Sequence, residues 1–297
     1  MEEGQRQIDI VIPTYNEEKC IVTCLNSIFD ACEYVETTMS TCRVRVTVTD
    51  GGSKDETLKL CEETGRKRDR KEFRVVRQPK NGKRGRGAVL KRAATTLLEE
   101  AKKDRRKDDD DLLIFLHADV QIERTFLSKA REFFDESGFQ VGFCRMDFGK
   151  SEWSFKFLCW IATFDSSVTS FGDQGILIRR GAYRKVGGFK SIPLCEDVEF
   201  FCNCRKFFRP HLIPLTLYVS PRKFDERGVV TYMIQCCVVC TMFHMGFDSK
   251  TLLKLYADPF YVKWIIAVPI VLCVLAFIWM IYSLEIRFYN LLVYFSF

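Results

Sequence analysis

The chain has 297 residues, 47% of them hydrophobic and 28% charged, with a formal net charge of +6 and a mean hydropathy of −0.06. These averages exclude a disordered chain, and 17 Gly with 8 Pro exclude a collagen-like one. Taken alone they describe a soluble globule of one large or two small domains, each able to bury a core.

In chain order the pattern is strand–helix–strand. IDIVIP (8–13) is a short apolar run stopped by Pro13, which suits a buried parallel strand. Ile21, Leu25, Ile28 and Phe29 then recur at helical spacing. VRVTVTD (44–50) is β-rich and ends in the turn Asp50-Gly51-Gly52-Ser53, with a helix predicted from Lys54. Phe73 to Val76 reads as a strand, Ala88 to Ala101 as a helix, and Leu112 to Leu116 as a buried strand ending in His117-Ala118-Asp119. Strands alternating with helices imply an α/β fold, a parallel sheet with helices on both faces. Ligands of such sheets bind beyond the carboxyl ends of the strands, where Asp50 and Asp119 both fall.

Residues 66–107 hold eighteen Lys/Arg against five Asp/Glu, and Asp108 to Asp111 then reverse the sign. Such a segment is either a solvated helix face with two loops, a phosphate-binding stretch over Lys80 to Arg92, or an attraction to an anionic membrane. No helix-turn-helix, zinc finger or aromatic platform accompanies the charge, so nucleic acid is not expected as a partner. Gly142 to Phe148 and Gly175 to Arg179 read as further strands, Tyr183 to Phe189 ends in a turn, and Cys195 to Phe207 reads as a helix opening with Glu196 and Asp197.

The last part is unlike the rest. Val229 to Gly246 is apolar and Cys-rich, but Gln235 and His244 favour a docked or interfacial helix over a membrane span. Cys236, Cys240 and His244 share a helical face, yet no second Cys pair completes a structural zinc site. Trp264 to Leu284 are 21 residues without a charge, about 31 Å as a helix, enough to cross a hydrocarbon core of about 30 Å. Lys250, Lys254 and Lys263 precede this stretch and Arg287 follows it, which places the large domain in the cytosol. The opening MEEGQRQ is not a signal peptide, so the cysteines are expected reduced. The expected organisation is a domain over 1–230, a docked or interfacial helical segment over 231–260, and a single-pass transmembrane helix with an apolar tail over 261–297.

Four segments form a set: Val11-Ile12-Pro13-Thr14-Tyr15-Asn16-Glu17, Thr49-Asp50-Gly51-Gly52-Ser53-Lys54-Asp55, Leu116-His117-Ala118-Asp119 and Pro193-Leu194-Cys195-Glu196-Asp197. In this order and spacing the chain resembles family 2 glycosyltransferases of the GT-A fold, a Rossmann-like, mostly parallel sheet flanked by helices, over roughly residues 8–230. GKRGRGAVLK (82–91), the His-Ala-Asp variant, Phe171 to Gly175 and the stretch from Gly246 to Tyr256 resemble the selenodomain-associated transferase subgroup.

The resemblance implies a donor nucleotide sugar, UDP- or GDP-linked, bound by Pro13, Tyr15, Glu17 and Asp50. Glu17 equally suits the N-terminus of a helix, where the dipole favours an acid. Arg84 and Arg86, in a glycine-rich loop, can grip phosphates bidentately. Asp119 matches the last carboxylate of the family's Asp-X-Asp motif and implies Mn²⁺ or Mg²⁺, hard cations that take carboxylate and phosphate oxygens. His117 stands where the family has the first Asp. Asp197, beside Glu196, matches the general base on the acceptor hydroxyl, and Asp173 and Gln174 match a segment lining the acceptor or donor sugar. The late Gln-X-X-Arg-Trp signature is absent, and Arg222, Lys223 and Arg227 occupy its region.

The expected activity is inverting sugar transfer to an acceptor hydroxyl at a membrane surface. Two alternatives remain at this stage. One is a polyprenyl-phosphate sugar synthase, which the basic domain and the membrane stretch suit. The other is a non-catalytic nucleotide-sugar-binding module, which His117 and the missing signature suit. Fold resemblance does not supply the substrate.

Overall fold

The computed structural model describes residues 6–79, 85–103, 108–166 and 169–258. The chain divides into two compact units, Met1–Val230 and Thr231–Phe297. The apolar runs of the first unit become the centre of a sheet. β1 (Arg6–Thr14) buries Ile8, Ile10, Val11 and Ile12 on both of its faces, as a central parallel strand must. α1 (Ile21–Thr38) follows, and buries Ile21, Leu25, Ile28, Cys32 and Val35 at helical spacing. β2 (Cys42–Asp50), α2 (Thr57–Lys67), β3 (Phe73–Val76), α3 (Arg86–Lys103) and β4 (Leu112–Phe115) come next, close to where periodicity placed them.

The second half of the unit adds β5 (Val120–Gln121), α4 (Phe126–Ser137), β6 (Val141–Asp147), α5 (Trp153–Ile161), a 3-10 turn (Gly172–Gln174), β7 (Ile176–Arg179), α6 (Arg180–Val186), α7 (Glu196–Cys204), β8 (His211–Val219) and α8 (Arg222–Arg227). The sheet order is β3-β2-β1-β4-β7-β6-β8-β5. β3, β2, β1 and β4 run parallel, as expected. From β7 onward antiparallel pairs enter a sheet that is still mostly parallel, with β6 parallel to β8. β7 pairs antiparallel with β4 and β6, and β5 antiparallel with β8, so the sheet is mixed. Topology reverses at β1, whose neighbours are β2 and β4, and the crevice beyond β1 and β4 is where such sheets place ligands.

One face of the sheet packs Val11, Leu113, Phe115, Ile176 and Ile178 against Leu90, Ala94 and Leu97 of α3 and Phe200 and Phe201 of α7. α1, α2 and α4 group together on the other face. At the amino ends of β1 and β4 lies a buried ionic cluster. Arg180, fully buried, donates to Asp9 and, at 2.9 Å, to Asp108, and lies 3.0 Å from Asp111. Arg45 holds the other oxygen of Asp9 at 2.8 Å, and Arg179 holds Asp110 at 2.8 Å. The acidic run is therefore a partner for the arginines that end β7 and open α6, and Asp108 and Asp111 are buried.

Four arginines of the basic segment are paired in a similar way. Arg68 pairs with Asp30 and Glu33, Arg70 with Glu36, Arg74 with Glu100 and Arg77 with Glu62.

The second unit contains α9, whose helix runs Val229–His244, and α10 (Ser249–Ala257). Asp248 caps α10, accepting from the amides of Lys250 at 2.9 Å and Thr251 at 3.1 Å. Gln235, fully buried, donates to the carbonyls of Leu255 and Tyr256, which a helix end otherwise leaves unpaired. Among the described residues no helix is long and apolar enough to cross a membrane. The candidate span at 264–284 lies outside the described residues. Among the described residues no group of three potential metal ligands forms, so Cys236, Cys240 and His244 remain helix-face residues.

Removing one partner from a buried ion pair typically costs about 3–5 kcal/mol. Arg180→Gln should therefore lower the unfolding free energy by about that amount in urea titration, and an unchanged midpoint would refute the role given to the cluster. Burial works against the ionised form of Asp108, but hydrogen bonds from Arg180 and Arg184 outweigh it and hold the carboxyl below its ordinary value. Its contribution is complete above the ordinary value of 3.8 and is lost as pH falls through the depressed native one. Unfolding midpoints followed down from neutral pH should fall more in the wild type than in Asp108→Asn, which lacks that titration.

Candidate active site

Beyond β1 and β2 two loops are stitched together. The amide of Gly51 donates to the Thr14 carbonyl at 2.8 Å, that of Asn16 to Ser53 Oγ at 2.9 Å, and that of Lys54 to Asn16 Oδ1 at 2.9 Å. Asn16 has φ of 56°, a left-handed conformation that Asn tolerates. The Glu17 amide donates to Thr57 Oγ1 at 2.8 Å. Asp50 spends both carboxylate oxygens on its own turn, accepting from the Gly52 and Ser53 amides at 2.8 and 3.0 Å and from Ser53 Oγ at 2.5 Å. It is buried, and it shapes the loop rather than facing open space. Tyr15, 58% exposed, lies over Gly51, and Glu17 accepts from Arg222 of α8 at 2.7 Å. Pro13 lines a small depression together with Leu116, His117, Gly172, Glu196 and Asp197.

Three of these lining residues, His117, Glu196 and Asp197, are held by Arg86, at the start of α3. Its guanidinium donates to Glu196, to Asp197 Oδ2 at 3.2 Å and to His117 Nε2 at 3.0 Å. A guanidinium only donates, so His117 Nε2 accepts, which leaves Nδ1 to donate to Asp173 Oδ1 at 2.5 Å. Both ring nitrogens of His117 are thus used inside the protein, and His117 does not fit as a metal ligand. Nor does Arg86 reach out as a loose phosphate cation. Arg84 lies outside the described residues.

Asp197 Oδ2 also accepts from the Gly172 amide at 2.8 Å, and its Oδ1 from the Val198 amide at 2.8 Å. Cys195, just before this pair, has φ of 58°, a left-handed backbone uncommon for a side chain other than Asn or Asp. That turn swings Glu196 and Asp197 into the first turn of α7. Gln174 is fully buried, with its carbonyl taken by the Phe171 amide and its amide by the Ala162 carbonyl. It holds the 3-10 turn and is not in contact with open space, contrary to the expectation that it lines the sugar.

Electrostatics follow the geometry. Burial pushes the Glu196 carboxyl up, even though Arg86 stabilises its charge. Burial opposes the charge on Asp173 too, but the His117 ring, Lys223 and Arg86 outweigh it and hold the carboxyl far below the usual range. Burial also opposes the charge on Arg86, yet Glu196, Asp197 and Asp173 keep its pKa well above the ordinary value.

Asp119 sits past the end of β4, buried. Its Oδ2 is 3.4 Å from Lys223 Nζ, while its Oδ1 is buried with no hydrogen-bond partner. An orphaned carboxylate oxygen is costly unless something binds it. It fits a divalent cation that completes its shell with nucleotide phosphates, since Mg²⁺-like ions at such sites use one or two protein carboxylates. Lys223 and Arg222, tied to phosphate only by analogy in the sequence, converge here on Asp119 and Glu17. The Gly172 amide is the participant that residue types alone did not reveal.

Residues 9–184 match the model of glycosyl transferase family 2. The chain belongs to that family. As a member it is a nucleotide-sugar-dependent glycosyltransferase. No curated protein matches it. Among solved structures it is similar to a mannosyltransferase, PcManGT from Pyrobaculum calidifontis, in complex with GDP-Man and Mn²⁺ (TM-score 0.58, 14% identity, 88% of this chain and 75% of that one). It is similar to glucosyl-3-phosphoglycerate synthase from Mycobacterium tuberculosis with Mn²⁺, UDP and glucosyl-3-phosphoglycerate (0.54, 15%, 82% and 81%). TarS 1-349 of S. aureus also matches (0.50, 18%, 87% and 72%). At these identities the likeness is one of fold.

The family's glycines have local causes in this chain. Gly85 has φ of 105°, and a Cβ there would meet Pro193 Cα at 2.8 Å. A Cβ on Gly87 would meet the Lys190 carbonyl at 2.4 Å, and one on Gly172 would meet His117 Nε2 at 2.8 Å and Asp197 Oδ2 at 3.0 Å. Displacing catalytic groups by about 1 Å can cost about 10²-fold in rate. Gly172→Ala should cut kcat/KM by about that factor with a native circular dichroism spectrum. Unchanged turnover would remove His117 and Asp197 from the working site.

Proposed function

We propose that this family 2 enzyme is an inverting, divalent-metal-dependent glycosyltransferase that works at a membrane surface on a UDP- or GDP-sugar. The observation that carries this reading is the state of two buried carboxylates. Asp119 has a buried oxygen without a partner, and Asp197 is fixed by Gly172 and Arg86. Asp119 would hold Mn²⁺ or Mg²⁺, whose bound charge offsets the charge of a diphosphate leaving group. Tyr15, Glu17 and the stitched loops after β1 and β2 bind the nucleoside, and Arg222 and Lys223 add cationic charge beside the phosphates. Relatives in complex with GDP-Man or UDP and Mn²⁺ support the donor class.

Asp197 accepts the proton of the acceptor hydroxyl as its oxygen bonds to the anomeric carbon. The bond from that carbon to the diphosphate oxygen breaks in the same displacement, which inverts the centre. Arg86 and the Gly172 amide keep the Asp197 carboxylate aimed during the transfer, and Asp173 fixes the His117 ring that in turn braces Arg86.

The acceptor hydroxyl that suits this chain best is carried by a lipid-linked molecule. The reason is the uncharged stretch Trp264–Leu284, which would hold the catalytic unit at a bilayer with its cytosolic side facing the donor pool. The segments at 82–91 and 171–175 further favour the selenodomain-associated subgroup.

Detergent-purified full chain should be stabilised in a thermal-shift screen by one class of sugar nucleotide, and more so with Mn²⁺ than without. Asp197→Asn should lower sugar transfer by about 10²–10⁴-fold, the range that a positioned proton acceptor contributes, and Asp119→Ala should lower it as well. Asp119→Ala should also erase the Mn²⁺ dependence of the thermal shift. Full activity in either variant would overturn the site.

A further inference from the structure

α5 buries a single side chain completely. Phe155 packs between Phe148 and Phe224, with ring centroids 5.3 and 5.5 Å away. The rest of its aromatics face out. Trp153 is 76% exposed and Trp160 58%, and Phe157 and Phe164 are exposed beside them. Their spacing of four, three and four residues puts all four along one side of the helix and the turn after it. Phe157, Trp160 and Phe164 touch one another, at 5.9 and 5.1 Å between centroids, rather than the core. α5 carries no acid, and its one charge is the exposed Lys156.

We propose that this aromatic ridge is a lipid-contacting surface that seats in the headgroup layer of a bilayer containing anionic lipid. The inference rests on the membrane placement in the functional reading above. Three observations select lipid over a second copy of the chain. Trp and Phe with a neighbouring Lys are the side chains that interfacial helices present, apolar rings sinking to the acyl boundary while indole N–H and ammonium stay at the headgroups. The ridge projects from the surface and offers few hydrogen-bonding groups to a protein partner. The same chain carries, at 264–284, an uncharged stretch long enough to cross a bilayer, so a membrane is at hand.

The ridge is also tied to the site. The Ala162 carbonyl at the end of α5 accepts from Gln174, and Arg205 binds Asp165, the Ser166 carbonyl and Ser170 just beyond. That brace leads into the turn whose Gly172 amide holds Asp197.

Trp264→Phe/Trp279→Phe in the full chain leaves Trp153 and Trp160 as its two tryptophans. The variant is reconstituted in phosphatidylcholine–phosphatidylglycerol vesicles, with or without bromine on the acyl chains. Emission should be blue-shifted and should lose intensity in the brominated vesicles. Red-shifted emission that bromine does not quench overturns the proposal. A blue shift that grows with protein concentration without bromine quenching also overturns it, in favour of contact between copies. A parallel thermal-shift assay with sugar nucleotides separates the two readings. Nucleotide binding without quenching removes the lipid surface and keeps the enzyme, and quenching without nucleotide binding does the reverse.

Discussion

The antiparallel register between β4 and β7 governs both ends of the catalytic unit. Leu112 faces Arg179 and Phe115 faces Ile176. At one end this brings Arg179 and Arg180 onto Asp108 to Asp111, the residues that lead into β4. At the other end it sets the turn before β7 against His117, the residue two beyond β4. A buried guanidinium with no carboxylate would be intolerable, so the ionic cluster rejects other registers, and the same choice delivers Gly172 to Asp197. The cluster need add little net stability. Its use is selection, because a one-residue slip would turn every β7 side chain to the opposite face.

Within the cleft, the acidic and basic residues are organised as one network rather than as separate contacts. Arg86 joins α3 to α7 and to the end of β4. Gly85 and Gly87 are small because the Lys190–Glu196 loop must pass within van der Waals reach of α3. The glycine-rich segment thus looks like a phosphate cradle in sequence, while in the fold Gly85 and Gly87 serve close packing that puts Arg86 on two carboxylates. Part of the charge of residues 66–107 meets a similar fate, since α1, α2 and α3 supply the acids that pair with Arg68, Arg70, Arg74 and Arg77. Local sequence cannot show this, because Arg68 and Asp30 are 38 positions apart.

What was legible follows from what periodicity encodes. Buried strands announce themselves as continuous apolar runs, and β1 and β4 stood out for that reason, while β2 stood out as a β-rich stretch that ends in a turn. α5 is aromatic nearly all round, so no period separated its buried Phe155 from its exposed ring face. β5 has two residues, too few for any pattern. β8 carries a Pro and polar residues because only part of it is buried. The positions of Asp119 and Asp197 at element ends could be read, since strand ends and helix starts leave local marks. The partners of His117 could not. Asp173 reaches it from a turn 56 positions away, and nothing in the Leu116-His117-Ala118-Asp119 segment hints that both ring nitrogens are already occupied.

That occupancy changes the electrostatics of the cleft. In the usual motif two carboxylates flank the strand end. Here the first is an imidazole turned toward the Arg86 side, so Asp119 is left as the sole acid at the strand end. Asp173, 2.5 Å from His117 Nδ1, brings an acid back beside that ring. Lys223 at 3.4 Å from Asp119 and Arg222 on Glu17 supply positive charge from α8, in the region where the family's late signature is missing. Replacement of Asp by His and relocation of the cations to α8 are therefore two halves of one arrangement. The remaining free carboxylate oxygen of Asp119 points to where a counter-ion belongs.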